Sequence, residues 1–332
     1  MGVLEKSKFR SFLQEHDQKT WNEILDRLTH SIHPIDRAAT RIWFAFWPLE
    51  LRTALSDPRG QEEVVRAMDL EGKWRLEEII DSEVDFLYGS KYWVAVKKAV
   101  IAHAERYEKP EGKDLEQRIR EISSEVAASE KIEDSVVLGI TAVGFMALQQ
   151  IGLEALSKKV VDQPAPRSWV SGSPDQVVKR RERSHAGFIR FLKGHGQSHR
   201  VVWDESKEDA VFLARHGQDL AMAAATDTRD YRTMDYRCVE GPIPVECRVA
   251  SCGYCWVGVI RGRENLSEIS SFEKERLHYF GYDAVNDPDD SHPLIRLACQ
   301  TQCLGDVTLV TAPWNGELER RHQKSRDVLG TA

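Results

Sequence analysis

Apolar positions in the first half of the chain recur at spacings of three and four. Trp21, Ile24, Leu25 and Leu28 form one such set, Leu76, Ile79, Ile80 and Val84 a second, and Leu115, Ile119 and Ile122 a third. That period puts each set on one face of a helix, and the stretch before residue 159 carries almost no alternating strand pattern. Pro34, Pro48, the turn at 57–60, Gly89 and the Pro-Glu-Gly at 110–112 cut it into about seven helices. The most apolar run, 136–148, stops at Gln149 and Gln150, short of the roughly 20 residues a membrane span needs, so it reads as a buried helix. Gly139 and Gly144 within it would admit a close neighbour at some cost in helix propensity. The aromatic stretch 42–47 reads as core, where most large aromatic side chains go.

The pattern changes after residue 159. Pro, Gly and Ser dominate 160–174, the composition of a linker, and the basic cluster 179–183 holds a Glu and no interleaved aromatic, so it reads as a solvated face. Beyond it the apolar runs have strand length. Residues 188–192 and 201–203, with a glycine turn at 194–196, predict a hairpin, and 218–225 a helix of strong helix formers. The stretch 226–243 carries Tyr231, Tyr236 and Cys238. Residues 256–260 predict a strand, 266–277 a helix, 283–290 an acidic loop and 307–310 a last strand. The expected organisation is a helical domain over 1–159, a linker over 160–184, a second domain over 185–316 and a charged tail over 317–332.

The chemistry-bearing residues lie in that second domain. Cys247, Cys252 and Cys255 are spaced C-x4-C-x2-C, and Cys299 follows at a distance, the ligand spacing of a plant-type [2Fe–2S] cluster. A two-iron cluster is small, so its loop must close tightly and aim backbone N–H groups at sulfur. Ala250, Ser251 and Gly253 are small enough to allow that approach. The rival is a structural zinc ion held by Cys252, Cys255, Cys299 and Cys303. Zinc leaves Cys247 without a role. Cys238 and Cys303 otherwise read as small buried apolar side chains.

The loop, taken with Arg296-Leu297-Ala298-Cys299-Gln300, resembles the plant and bacterial [2Fe–2S] ferredoxin family. The resemblance implies an α+β chain in which an all-helical N-terminal domain is joined to a β-grasp ferredoxin-like domain opening with a hairpin and a helix. It further implies that Cys247 and Cys252 hold an outer iron, Cys255 and Cys299 an inner one, and that Arg248, Ser251 and Gly253 shape the loop. The chain departs from the family in having Ala250 where Gly is usual, and in the long stretch between Cys255 and Cys299, which implies an inserted loop.

Composition narrows the function classes. The chain has 332 residues, 41% apolar and 30% charged, with a formal net charge of −7. The acidic balance argues against a nucleic-acid coat and favours basic protein partners. Six cysteines are too few for a disulfide scaffold in so long a chain, and the N-terminus lacks a secretory apolar run, so a cytoplasmic location is expected. No nucleotide-binding glycine fingerprint, P-loop, His-Glu-x-x-His or Gly-x-Ser-x-Gly is present, so an electron carrier rather than an enzyme is expected. Its partners would be a reductase and an acceptor oxidoreductase, with Glu205, Glu208, Asp209, Asp287, Asp289 and Asp290 as a docking face. The alternative is a redox-responsive protective protein whose cluster state controls partner binding. His30, His33 and His103 in the helical half form no convergent ligand set and are expected to be partly exposed, and haem or lipid binding there is a weaker reading.

Overall fold

The computed structural model describes residues 8–55, 74–107, 112–158, 172–185, 197–205, 207–233, 235–280, 282, 286–287 and 289–312. The chain divides into two compact units, one of Met1–Phe44 with Arg75–Val178, the other of Ala45–Trp74 with Lys179–Ala332. The 188–192 strand, most of the 160–174 linker and the 317–332 tail lie outside the described residues.

Eight α-helices occur among the described residues up to Leu156: α1 (Lys8–Leu13), α2 (Gln18–Thr29), α3 (Arg37–Phe46), α4 (Leu49–Ala54), α5 (Leu76–Glu83), α6 (Trp93–Arg106), α7 (Leu115–Glu130) and α8 (Asp134–Leu156). Local chemistry sets their ends. The Asp17 carboxylate accepts the Thr20 N–H at 2.8 Å and starts α2, and Asp114 and Gln117 form a reciprocal capping box at α7.

Helix α8 is the axis of the first unit, and 94% of its most apolar window is buried there. It continues past the glutamines, because Gln149 is satisfied inside: its Oε1 accepts from Trp21 Nε1 at 2.7 Å and its Nε2 donates to His16 O at 2.9 Å. By length and composition alone α8 could cross a membrane, and its burial accounts for the same apolar character. The expected close approaches occur. A Cβ on Gly139 would sit 2.3 Å from Thr40 Oγ1 of α3, and one on Gly144 would sit 3.3 Å from Val100 of α6. All of 42–47 is buried, as the core reading requires. A helix α9 (Pro174–His185) occupies the end of the stretch assigned to the linker. Its Val177 packs with Ile35, Tyr88 and Val136.

In the second unit the strands are β1 (Ser198–Val202), β2 (Val211–Arg215), β3 (Gln218–Asp219), β4 (Trp256–Arg261), β5 (Ile295–Leu297), β6 (Gln302–Cys303) and β7 (Val307–Thr311). Five form a mixed sheet in the order β2-β1-β7-β4-β5, and β3 pairs with β6. Neighbours are antiparallel except the central pair β1 and β7, which run parallel with Val201 opposite Val307. The hairpin partner of β1 is therefore β2, with Ser198 opposite Arg215. Alternation decides this, since Phe212 and Ala214 turn inward while Leu213 stays exposed.

The helix expected over 218–225 is shorter, α10 (Leu220–Ala224), because Gln218 and Asp219 pair with β6. The helix expected over 266–277 begins later, as α11 (Ser271–Tyr279), because the Ser270 hydroxyl accepts the Glu273 N–H at 3.0 Å and fixes the start. Leu266 instead bridges to Cys303. Trp256 of β4 is buried edge-on against Phe280 and beside Tyr282, with centroids 5.1 and 4.4 Å away. Residues 226–243 form turns and bends without a described helix or strand.

Candidate metal centre

Cys247, Cys252 and Cys255 lie on the loop before β4, and Cys299 lies on the turn after β5. The loop reaches its shape through three left-handed residues, Arg248 (φ 58°), Ala250 (φ 58°) and Gly253 (φ 72°). Only glycine adopts that region freely, so Arg248 and Ala250 store strain there. The reward is a concave array of N–H groups. Val249, Ser251 and Cys252 all donate to Cys247 Sγ, at 3.4, 3.3 and 3.3 Å, a nest suited to an anionic sulfur. Ala250 N–H is turned toward Cys299 and Tyr254 N–H toward Cys252. Gln300 Nε2 lies 3.4 Å from Cys299 Sγ.

The thiols make contact in pairs, Cys247 with Cys252 and Cys255 with Cys299. Charge on Cys252 is felt at Cys255, so the pairs adjoin. The first pair is half-buried and the second buried. Among the described residues no three His, Cys, Asp or Glu side chains gather as one metal-holding group; the arrangement is two and two.

Each pair is set to release one proton before the other. Burial works against the Cys247 thiolate, but hydrogen bonds from Ser251, Val249 and Cys252 outweigh it and bring the thiol down to about 7. A hydrogen bond from Cys255, opposed by burial, lowers Cys299 to about 6. Cys255 is raised by donating to Cys299 and then by burial, and Cys252 is raised chiefly by burial.

Cys303 does not join them. It is fully buried on β6, its Sγ lies 3.1 Å from Gly305 O, and burial pushes its thiol up to about 11. The zinc set that needed Cys303 is not assembled. Cys238 is also buried, 3.6 Å from Pro242 O, and raised to about 12 by burial.

Sequence reasoning passed over two residues that hold the site together. Both lie on α11, within the stretch expected to be an inserted loop. Arg276 Nε donates to Ala250 O at 2.9 Å and its Nη2 lies 3.4 Å from Ser251 O, gripping the loop. Glu273 Oε1 accepts the Leu297 N–H at 2.9 Å, and its carboxylate takes Arg296 Nε at 3.0 Å and Nη2 at 2.9 Å in a fork with both side chains 0% exposed. Arg296 Nη1 donates on to Ser267 O at 2.9 Å. The α10 N–H groups of Leu220 and Ala221 donate to Thr301 O and Ala298 O, at 3.0 and 3.1 Å, and close the Cys299 turn from the other side.

Around the loop, Arg248 pairs with Glu240 and its Nη1 lies 2.6 Å from Met222 Sδ, so its side chain reaches outward while its backbone bends the loop. Val249, between the ligand candidates, is 60% exposed. Of the expected docking acids, Glu205, Asp209 and Asp290 are engaged by Arg261, Arg229 and Arg263 at 3.6, 3.3 and 2.6 Å, which removes part of the free charge. In the helical unit His30 is exposed, but His33 is buried with its Nε2 3.3 Å from Asp175, and His103 is half-buried among aromatic rings. The expectation of partly exposed histidines fails at His33, because α9 covers it. Comparison of the chain with protein-family models, curated proteins and solved structures finds no match.

Proposed function

We propose that the second unit is a β-grasp domain carrying a [2Fe–2S] cluster and that the protein is a one-electron carrier. The observation that carries this reading is the pairing of four thiols, two by two, under a nest of N–H groups aimed at Cys247. Cys247 and Cys252 would hold the outer iron, Cys255 and Cys299 the inner one. Thiolates suit iron in both of its oxidation states, and a bound cluster supplies reversible one-electron chemistry. The chain's own residues deprotonate readily at Cys247 and Cys299, present hydrogen bonds to sulfur and keep the inner pair from water. The sheet order, with first and last strands parallel at the centre and a helix after the opening hairpin, supports the β-grasp reading.

In this reading the electron comes from a reductase and goes to an acceptor oxidoreductase, and the helical unit sets which partner is met. The exposed Val249 edge is the route by which a partner approaches the outer pair. The test is anaerobic reconstitution with ferrous iron and sulfide. Expected are a red-brown protein with visible absorbance, about two irons and two sulfides per chain, and a paramagnetic resonance signal on dithionite reduction. A pale protein, or one binding only zinc, overturns the proposal.

One contact favours a second reading, a redox-responsive binding protein. Arg248 of the loop pairs with Glu240 of the 226–243 stretch, so a change of charge at the loop reaches the segment beside it. Equal affinity of a captured partner for oxidised and reduced protein removes this reading.

A further inference from the structure

Gln300 follows Cys299 on the turn after β5, and its backbone N–H donates to Leu297 O at 2.8 Å. Its half-buried side chain folds back on Cys299, with Nε2 3.0 Å from Cys299 O and 3.4 Å from Cys299 Sγ. Those neighbours fix the direction of the amide. A carbonyl oxygen and a sulfur both accept, so the NH2 with its two hydrogens serves both, whereas the reversed amide would set its oxygen against them. The hydrogen bond to Cys299 O also anchors the donor on the residue whose sulfur it serves.

This donor differs in kind from its neighbours. Ala250 N–H is turned toward Cys299 and Cys299 N–H toward Cys255, and main-chain donors of this sort do not depend on the side chain. Among the described residues the Gln300 amide is the side chain that adds to them, on a pair of cysteines only 2% and 8% exposed. Little water competes there, and the low local dielectric strengthens a hydrogen bond. A one-electron reduction adds negative charge that spreads onto sulfur, so an N–H aimed at sulfur stabilises the reduced state more than the oxidised one.

We propose that Gln300 is a positioning residue for electron transfer, its side-chain amide holding up the reduction potential of a cluster bound through Cys299. This rests on the [2Fe–2S] reading and deepens it, by naming the side chain that sets how readily the site takes its electron.

The test is reconstitution of the full chain and three variants with ferrous iron and sulfide, then potentiometric titration with dithionite and mediator dyes. Gln300→Leu removes the donor, and Gln300→Glu replaces it with a negative charge at nearly the same size. Expected is a roughly tenfold less favourable one-electron reduction in Gln300→Leu, equivalent to about 59 mV, and a larger fall in Gln300→Glu, each with the parent's iron and sulfide content. Thr301→Val loosens the same turn by removing a hydroxyl that donates to Leu297 O at 2.8 Å and lies 3.4 Å from Glu273 Oε1. It leaves the Gln300 amide in place and should keep the parent potential. The proposal is wrong if Gln300→Leu is reduced at the parent potential, if Thr301→Val shifts it as far, or if the parent assembles a cluster and neither Gln300 variant does. A parent that takes up no cluster overturns the [2Fe–2S] reading itself, and this inference with it.

Discussion

Glu273→Gln removes one charge and almost no volume from the buried fork beneath Cys299. In the parent the carboxylate meets Arg296 twice, at 3.0 and 2.9 Å, and the Leu297 amide at 2.9 Å, with both charged side chains wholly buried. The glutamine oxygen can still accept from Arg296 Nε and the Leu297 amide, but its NH2 meets Arg296 Nη2 donor to donor and the guanidinium loses its counter-charge, keeping Ser267 O at Nη1. Breaking a buried pair in this way costs about 3–5 kcal/mol, a factor of roughly 10² to 4 × 10³ in local opening. The double variant Glu273→Leu with Arg296→Met removes both charges and orphans the Leu297 N–H, which costs about 1–3 kcal/mol. It should therefore be more stable than Glu273→Gln despite the larger change. Hydrogen exchange of the peptide covering 294–301 reads this locally and does not depend on whether the two units unfold together. If Glu273→Gln speeds exchange there by less than about tenfold, or if the double variant is the worse of the two, the fork does not anchor the Cys299 turn and the reasoning fails.

Replacing Cys247, Cys252, Cys255 or Cys299 by Ser should abolish visible absorbance after reconstitution, whereas Cys303→Ala and Cys238→Ala should keep it; loss of colour in Cys303→Ala with colour retained in Cys247→Ser would restore the zinc-type set. Arg276→Met removes charge-assisted contacts to Ala250 O and Ser251 O worth about 1–3 kcal/mol, and should hasten iron loss to a chelator roughly tenfold while leaving the helical unit's thermal transition in place. His103 has its folded pKa lowered to about 4, first by burial and then by Arg118, against about 6.5 unfolded. Between those values the unfolded chain binds the extra proton, so this residue's stabilisation is complete above pH 6.5 and is lost as pH falls toward 4. His103→Phe should flatten that part of the stability profile, and an unchanged profile in urea titrations across the window would contradict it.

The legible parts of the chain were those whose cause is local. The apolar run 136–148 showed α8, since a helix so uniformly apolar has to be buried, and 256–260 and 307–310 showed β4 and β7. The cysteine loop was legible because its three thiols and small residues sit within nine positions. What was missed depends on distant partners. Strand β2 alternates inward Phe212 and Ala214 with exposed Leu213 over only five residues, and its pairing with β1 needs the intervening turn rather than the glycine turn upstream. Gln218 and Asp219 became strand because Cys303 and Gln302, far along the chain, offered them a ladder. The burial of Glu273 and Arg118 was not legible, because nothing in the helical period tells a buried charge from an exposed one.

The stretch between Cys255 and Cys299 looks like an interruption of the thiol set, yet it supplies the part that holds the set in register. Glu273 and Arg276 are three apart on α11, so they project from one helix face, and each holds a different half of the site. Arg276 binds the carbonyls of a loop whose Arg248 and Ala250 sit in an unfavourable backbone region. Glu273 binds the amide just ahead of the Cys299 turn. A strained loop relaxes unless its surroundings over-determine it, and here one rigid helix constrains the strained loop and the distant fourth thiol at once. A helix can do this where a flexible loop cannot, because the two contacts share one rigid body: moving Cys299 away from Cys255 would require breaking either the buried fork or the loop's carbonyl contacts. Shortening the stretch to a minimal connection would therefore leave all four cysteines in the sequence and still lose the site.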